Sequence, residues 1–254
     1  MLDTSRPKEN EVHAPHAPLT DYYEGEAGRR GFVSEIFDET AGDYDRIERM
    51  MALGTGPWYR RRALARSGLN EGMSVLDVAT GTGLVARQAA SLAGDARRVV
   101  GVDASLGMLR ATARPGAVAS VAGSADRLPF ASDGFDFLSM GFALRHMPDL
   151  TNVLREFHRV LRPGGIVCVL EITRPESALA RRALRTYMRL VIPLLARVVG
   201  RHRDTPKLFA YFWDTIEACV PPEAVVSTMQ AAGFEEVKRH VEAGIFSEYT
   251  GRKA

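Results

Sequence analysis

Cysteine is nearly missing from this chain: Cys168 and Cys219 are the only two among 254 residues. Far apart and without the spacing of a metal knuckle, they exclude a disulfide scaffold and a cysteine-based zinc site. Both read as small buried residues in a reducing compartment. An excess of one charge is missing too. The 33 Lys and Arg face 31 Asp and Glu, so no chain-wide field points to nucleic acid. No uninterrupted apolar run reaches the ~18 residues of a membrane span. The best stretch, LVIPLLARVVG at 190–200, is broken by Pro193 and Arg197. Met1–Lys8 lacks the apolar stretch of a secretion signal, which sets the expectation of a cytoplasmic protein. What is present suits a folded domain. Apolar residues make up 46% of the chain, enough for a sizeable core in one domain with elaborations.

Residues 1–20 are polar, with three prolines, and predict a disordered arm. His13 and His16 are three apart, but without a second pair no metal site is expected. The remaining residues, 21–254, read as one domain. Within it, residues 21–69 predict cap helices, with Phe32, Ile36 and Phe37 on one face of the first and Gly68 closing the second. An alternation then begins. Strands are expected over 74–79, 98–103, 117–123, 135–143 and 166–173, with helices at 83–93, 105–113 and 149–162. Asp149 can cap the last of these helices, and Pro163-Gly164-Gly165 stops it. Strands alternating with helices predict a doubly wound α/β fold, a parallel sheet covered on both faces. After Pro175 the rhythm changes: 176–220 reads as helical, apolar and basic. A helix from Pro221 to Phe234 and two final strands follow.

The stretch DVATGTG at 77–83 sits between the first strand and a helix. In an open parallel sheet, ligands bind beyond the carboxyl ends of the strands, and this loop is at that place. Gly81 and Gly83 let the backbone turn tightly against a ligand. The pattern also matches the loose dinucleotide form G-x-G-x-x-A. Three features favour another adenosine ligand. Asp77, inside the strand, would repel a pyrophosphate but could hold an ammonium group. Asp103 ends the second strand, where a carboxylate can accept both ribose hydroxyls. Ser124 and Ala125, in GSADRLPF after the third strand, lie where an adenine ring would end. The plainer reading of both aspartates is a surface carboxylate in a turn.

VLDVATGTG, GVDASLGML, GSADRLPF, FDFLSMGFALRHMPD and REFHRVLRPGG occur in that order. The chain thereby resembles the class I S-adenosylmethionine-dependent methyltransferases. Through IFDETAGDYDRI, WYRRRAL, FALRHMPD, LEITRP and the closing AAGFEEV and AGIFSEYTGRK, it is similar to the C-methyltransferases of menaquinone and ubiquinone biosynthesis. The likeness covers residues 32–254. It implies a Rossmann-like sheet of seven strands, order 3-2-1-4-5-7-6, with one strand antiparallel. It implies S-adenosyl-L-methionine as cofactor, held by Asp77, Gly81, Thr82, Gly83, Asp103, Ser124, Ala125 and Gly141. Tyr44 would cap that cofactor from the N-terminal helices. An aromatic face beside a sulfonium is worth roughly 0.5–2 kcal/mol.

The substrate half departs from the family. Ser124 stands where an Asp or Asn is usual at the adenine contact, and His146 where the quinone enzymes usually carry Asn. FSEYTG replaces a His-containing segment, and AYFWDTIEACVPPE keeps only an outline. His146 is the first candidate for a general base, since histidine titrates in the useful range. Arg145 matches a family arginine; always protonated, it would stabilise a phenolate. Tyr211 and Asp214 rank third. His158 reads as a solvated helix residue and His240 as a strand residue.

The 176–220 segment is expected to be a substrate lid. Its apolar residues Tyr187, Met188, Leu190, Val191, Ile192, Leu194, Leu195, Phe209, Phe212 and Trp213 would line a tunnel. Its basic face, Arg181, Arg182, Arg185, Arg189, Arg197, Arg201 and Arg203, could rest on anionic lipid at the inner face of the membrane. The plainer alternative is core packing with a solvated basic face. The expected activity is C-methylation of a lipophilic phenol or quinol. O- or N-methylation of another lipophilic metabolite is the alternative; a nucleotide-dependent dehydrogenase and a non-catalytic sensor are the readings from other classes. The expected partner is a lipophilic small molecule, with no nucleic acid. Peripheral membrane contact and a homodimer are the further associations considered.

Overall fold

The structure is a computed structural model, and it describes residues 14–112, 117–194 and 205–254. Two helices open it: α1 (Gly25–Met51) and α2 (Gly56–Arg66), the latter entered through Pro57. The alternation follows: β1 (Val75–Val78), α3 (Leu84–Ala93), β2 (Val99–Asp103), α4 (Leu106–Thr112), β3 (Ala119–Ala122), β4 (Phe135–Gly141), α5 (Leu150–Val160) and β5 (Leu161–Ile172). Asp149 caps α5 by accepting from the Asn152 N–H at 2.9 Å. β5 begins earlier than the expected Ile166, because Leu161 pairs with Phe135 across a bulge before Ile166 takes up the regular ladder.

Seven strands form one sheet in the order β3-β2-β1-β4-β5-β7-β6, with β6 (Phe234–Glu242) and β7 (Phe246–Lys253) closing the chain. β7 is antiparallel to both its neighbours; the other described pairings are parallel. β1 lies inside the sheet between β2 and β4 and is buried along its whole length, which is why it is apolar except for Asp77. One core cluster, built on Leu76, Leu138, Phe157 and Met229, fills one side of the sheet. Another, built on Leu64, Val75, Ala86 and Phe137, fills the other.

A third cluster lies outside the sheet. There α1 meets α6 (Ala178–Thr186), a wider π turn at Tyr187–Val191, and α7 (Thr205–Ala218) through Ile36, Met188, Ile192, Phe209, Phe212 and Trp213. The last helix, α8 (Pro222–Ala231), packs on β6 and α5. No helix of the described residues is long and apolar enough to cross a membrane.

Two expectations need correction. The N-terminal arm is not free up to residue 20. Pro15 and His16 are buried, because Pro15 O accepts from the Val220 N–H at 2.7 Å and His16 meets the buried Arg29. Residues 1–13, His13 among them, lie outside the described residues. The apolar tunnel is not formed as expected either. Met188, Ile192, Phe209, Phe212 and Trp213 turn into the third cluster, whereas Leu190 and Leu194 face solvent at 63% and 58% exposure. Leu195, Arg197, Arg201 and Arg203 lie outside the described residues.

Candidate active site

A cavity of about 220 Å³ opens at the carboxyl ends of β1, β2 and β4, under α1. Its floor is the glycine loop. Gly81 has φ +56°, and a Cβ built there would meet nothing within 4 Å. The backbone is thus turned to leave room above it. Gly83, at φ 81°, caps α3. Gly141 has a different reason: a Cβ there would stand 2.5 Å from Val85 Cγ2, so glycine lets α3 press on β4. Ala79 and Phe142, at the ends of β1 and β4, hold φ values of 53° and 61°. Left-handed non-glycine residues cost energy and gather at functional sites; both line this cavity.

Asp103 sets the rim. Its Oδ2 accepts from the Gly81 N–H at 2.7 Å and its Oδ1 from the Ser105 N–H at 2.8 Å. Each oxygen keeps a lone pair for two neighbouring hydroxyls of a ligand. Burial pushes its carboxyl above the usual range. Ser124 and Ala125 form the far wall with Met108. The Ser124 hydroxyl donates to Asp126, which Arg30 also holds at 2.7 Å. Tyr44, Phe37 and Val33 of α1 close the top; burial raises the Tyr44 phenol to about 12. An open glycine cradle, a two-pronged carboxylate acceptor and an aromatic roof fit S-adenosyl-L-methionine.

Four expected residues are set back from the cavity. Asp77 is buried beneath the loop, accepting from Thr80 Oγ1 at 2.7 Å and Ser139 Oγ at 2.6 Å. Burial raises its carboxyl to about 6 against those two hydrogen bonds. Thr82 donates to Asp45 of α1. Gly83 shapes the helix start. Arg145 is buried in an ion pair with Glu171; it also donates to Phe142 O at 2.9 Å and Thr215 Oγ1 at 3.1 Å. It holds α7 to the sheet, so the expected contact with a phenolate is not the one this geometry makes.

His146 does line the cavity. It ends a short 3₁₀ turn after β4 and is 6% exposed. Its ring stacks on Tyr211 at 5.3 Å and 26°, and Phe37 meets it edge-on at 5.4 Å. Nδ1 lies 3.2 Å from the Tyr211 hydroxyl. Nε2 is buried and has no hydrogen-bond partner among the described residues. Burial first, then the charges of Arg145, His16 and Arg29, hold its pKa well below the usual histidine value. It is therefore a neutral imidazole at pH 7 with one nitrogen engaged, and Nε2 is a free base in the tautomer whose Nδ1–H donates to the Tyr211 hydroxyl.

Tyr211 is thus next to the base, while Asp214 accepts from Tyr22 at 2.6 Å and pairs with Arg189, away from the cavity. His158 is half-buried against Phe234 rather than solvated, and His240 is exposed on β6. Among the described residues of the expected tunnel, none lines the cavity. Sequence reasoning missed Asp38 and Asp45. Asp38 accepts from the Ser105 hydroxyl and, at 2.8 Å, from the Gly107 N–H. The signal was available: two carboxylates seven residues apart lie on one helix face.

The chain matches the model of the ubiE/COQ5 methyltransferase family over residues 24–253. It is 35% identical over 222 residues to a demethylmenaquinone methyltransferase of Mycobacterium marinum, covering 87% of this chain and 93% of the relative. It is 30% identical over 234 residues to the ubiquinone/menaquinone biosynthesis C-methyltransferase UbiE of Hahella chejuensis, covering 89% and 93%. Among solved structures, a SAM-dependent methyltransferase from Thermotoga maritima superposes with a TM-score of 0.61 at 21% identity, covering 87% of this chain and 99% of that one.

Proposed function

The chain belongs to the ubiE/COQ5 methyltransferase family, and from that membership we propose that it C-methylates a lipophilic phenol or quinol of the demethylmenaquinol type. It is an S-adenosylmethionine-dependent methyltransferase. When bound, the cofactor supplies a methyl group on a sulfonium, open to in-line displacement. In this reading Gly81 and Asp103 would hold the nucleoside, Ser124 and Ala125 would flank its base, and Tyr44 would offer its aromatic face to the sulfonium. Asp77, Thr82, Gly83 and Gly141 keep the cradle in shape.

The acceptor carbon of a phenol becomes nucleophilic when the neighbouring hydroxyl loses its proton. His146 takes that proton at Nε2 while Tyr211 fixes the ring through Nδ1. The observation that carries this reading is a buried, neutral histidine with one unclaimed nitrogen, on the wall shared with Asp103 and Gly81. Arg145 acts indirectly, by anchoring α7 through Glu171 and Thr215. Purified protein with S-adenosylmethionine and reduced demethylmenaquinone should yield a C-methyl product by NMR. An O-methyl ether, or turnover only with amines, would replace this reading by O- or N-methylation.

In this reading α6, the π turn and α7 serve as a lid on the acceptor side. On its outer face Leu179, Leu190 and Leu194 are exposed beside Arg181, Arg182, Arg185 and Arg189. Charge and apolar surface together suit an anionic bilayer, where such an acceptor would dissolve. Flotation with anionic vesicles tests this: binding should fall with salt and with Leu179→Ser plus Leu190→Ser, and equal binding to neutral vesicles would refute it.

A further inference from the structure

The match to the family begins at residue 24, and the residues just before it form a strap. Its near end is tied to the chain beyond α7 by the Val220 N–H, which donates to Pro15 O at 2.7 Å. Its far end is tied to α7 itself. Tyr22 donates to Asp214 at 2.6 Å, and its ring meets Tyr211 edge-on at 5.3 Å. Between them, His16 is 4% exposed and Arg29 of α1 is 1% exposed. His16 Nδ1 donates to Ala17 O at 2.7 Å, leaving Nε2 to accept from Arg29 Nη2 at 3.1 Å. The same Nη2 donates to His16 O at 3.0 Å, and Arg29 Nε to the Tyr23 hydroxyl at 3.2 Å. The His16 ring also meets the backbone of Arg145, the neighbour of His146.

A buried guanidinium is costly unless fully hydrogen-bonded. Apolar residues would cover this flank at lower cost, so the choice of Arg29 calls for another explanation. The charges around His146 supply one. From its own turn it faces Arg145, offset by Glu171; from the strap, His16; from α1, Arg29; and from α7, the Tyr211 hydroxyl. The Arg145 and Arg29 cations repel a proton arriving on His146, His16 seats Arg29 by accepting from it, and the strap presses Tyr211 onto Nδ1.

We propose that His16 and Arg29 are positioning residues for His146: the docked strap holds Tyr211 against the imidazole and seats the Arg29 cation in the same buried flank. The proposal rests on His146 being the base. The full chain is tested as His16→Ala, His16→Asn, Arg29→Gln and Arg29→Lys, with kcat and KM measured across about pH 5.5–9. His16→Ala and Arg29→Gln should move the acid limb of kcat up by about one pH unit, so that the loss approaches about tenfold on that limb and fades towards neutral pH. KM for S-adenosylmethionine should change less than about twofold, since neither residue touches the cradle. His16→Asn, which keeps one donor and one acceptor, and Arg29→Lys, which keeps the charge, should recover most of the lost rate.

A lower kcat with an unmoved acid limb would overturn the proposal and leave a merely structural strap; so would an unaltered His16→Ala profile. If Arg29→Gln fails to bind S-adenosylhomocysteine by calorimetry, the His16 pair reads the same limb alone. His146→Ala separates the two readings. An active His146→Ala enzyme removes the base and the strap's purpose together. An inactive one, beside a wild-type-like His16→Ala, removes only the strap.

Discussion

Asp77→Asn should make the protein more stable at alkaline pH while weakening its hold on cofactor. Asp77 is 1% exposed near the end of β1, with two hydroxyl donors, Thr80 and Ser139. Burial lifts its carboxyl from 3.8 to about 6. The folded state therefore binds a proton more tightly than the unfolded one. Stability is highest when the carboxyl is protonated and falls as pH rises from about 4 to about 6, then levels off. Two units correspond to about 3 kcal/mol lost at pH 8, of which all but about 0.5 kcal/mol is absent at pH 4. Asparagine is neutral throughout and can meet Thr80 and Ser139 through rotated hydroxyls. In urea titrations the variant should gain about 2 kcal/mol more, relative to wild type, at pH 8 than at pH 4. A loss of equal size at both pH values would refute the argument, by showing that the carboxylate is held by its hydrogen bonds and not penalised by burial. Calorimetry with S-adenosylhomocysteine reads the functional side.

His146→Ala should lower kcat by about 10²–10⁴ with cofactor affinity retained. Because the His146 pKa is depressed, the base stays unprotonated as pH falls; wild-type kcat should hold through ~6.5 and drop only below it, in a stopped pH–rate series. Glu171→Gln strands the Arg145 charge in the interior and should cost about 3–5 kcal/mol in urea unfolding, whereas removing both charges for apolar residues should cost less. Tyr44→Leu should weaken S-adenosylmethionine by about 0.5–2 kcal/mol and spare the neutral S-adenosylhomocysteine, with Tyr44→Phe near wild type by calorimetry. Equal losses for both ligands would make Tyr44 a packing residue only.

The sheet was legible because its signals are local. Apolar runs of strand length, glycine after β1 and Asp149 before α5 each report their own neighbourhood. The cradle was legible for the same reason: Gly81 follows β1 and Asp103 ends β2, positions that follow from strand order alone. The tunnel was not. Leu190 and Leu194 share a helical segment with Ile192, and periodicity cannot say which face finds a partner in α1 and which is left bare. Nor could it foresee Arg145 and Glu171 meeting, since their pairing depends on β4 lying beside β5. The strap failed for a different reason. A polar, proline-rich segment has the composition of a free arm, and only Arg29 and Val220, distant in sequence, give His16 and Pro15 something to bind.

Asp38 and Asp45 stand two turns apart on the inner side of α1 and grip different loops: one the start of α4, the other Thr82 in the glycine turn. A Cβ on Gly107 would stand 2.7 Å from the Asp38 backbone, so the two elements are in direct abutment there. The helix is latched at both points and cannot hinge outward by releasing only one. A ligand passing beneath α1 would have to break both grips together.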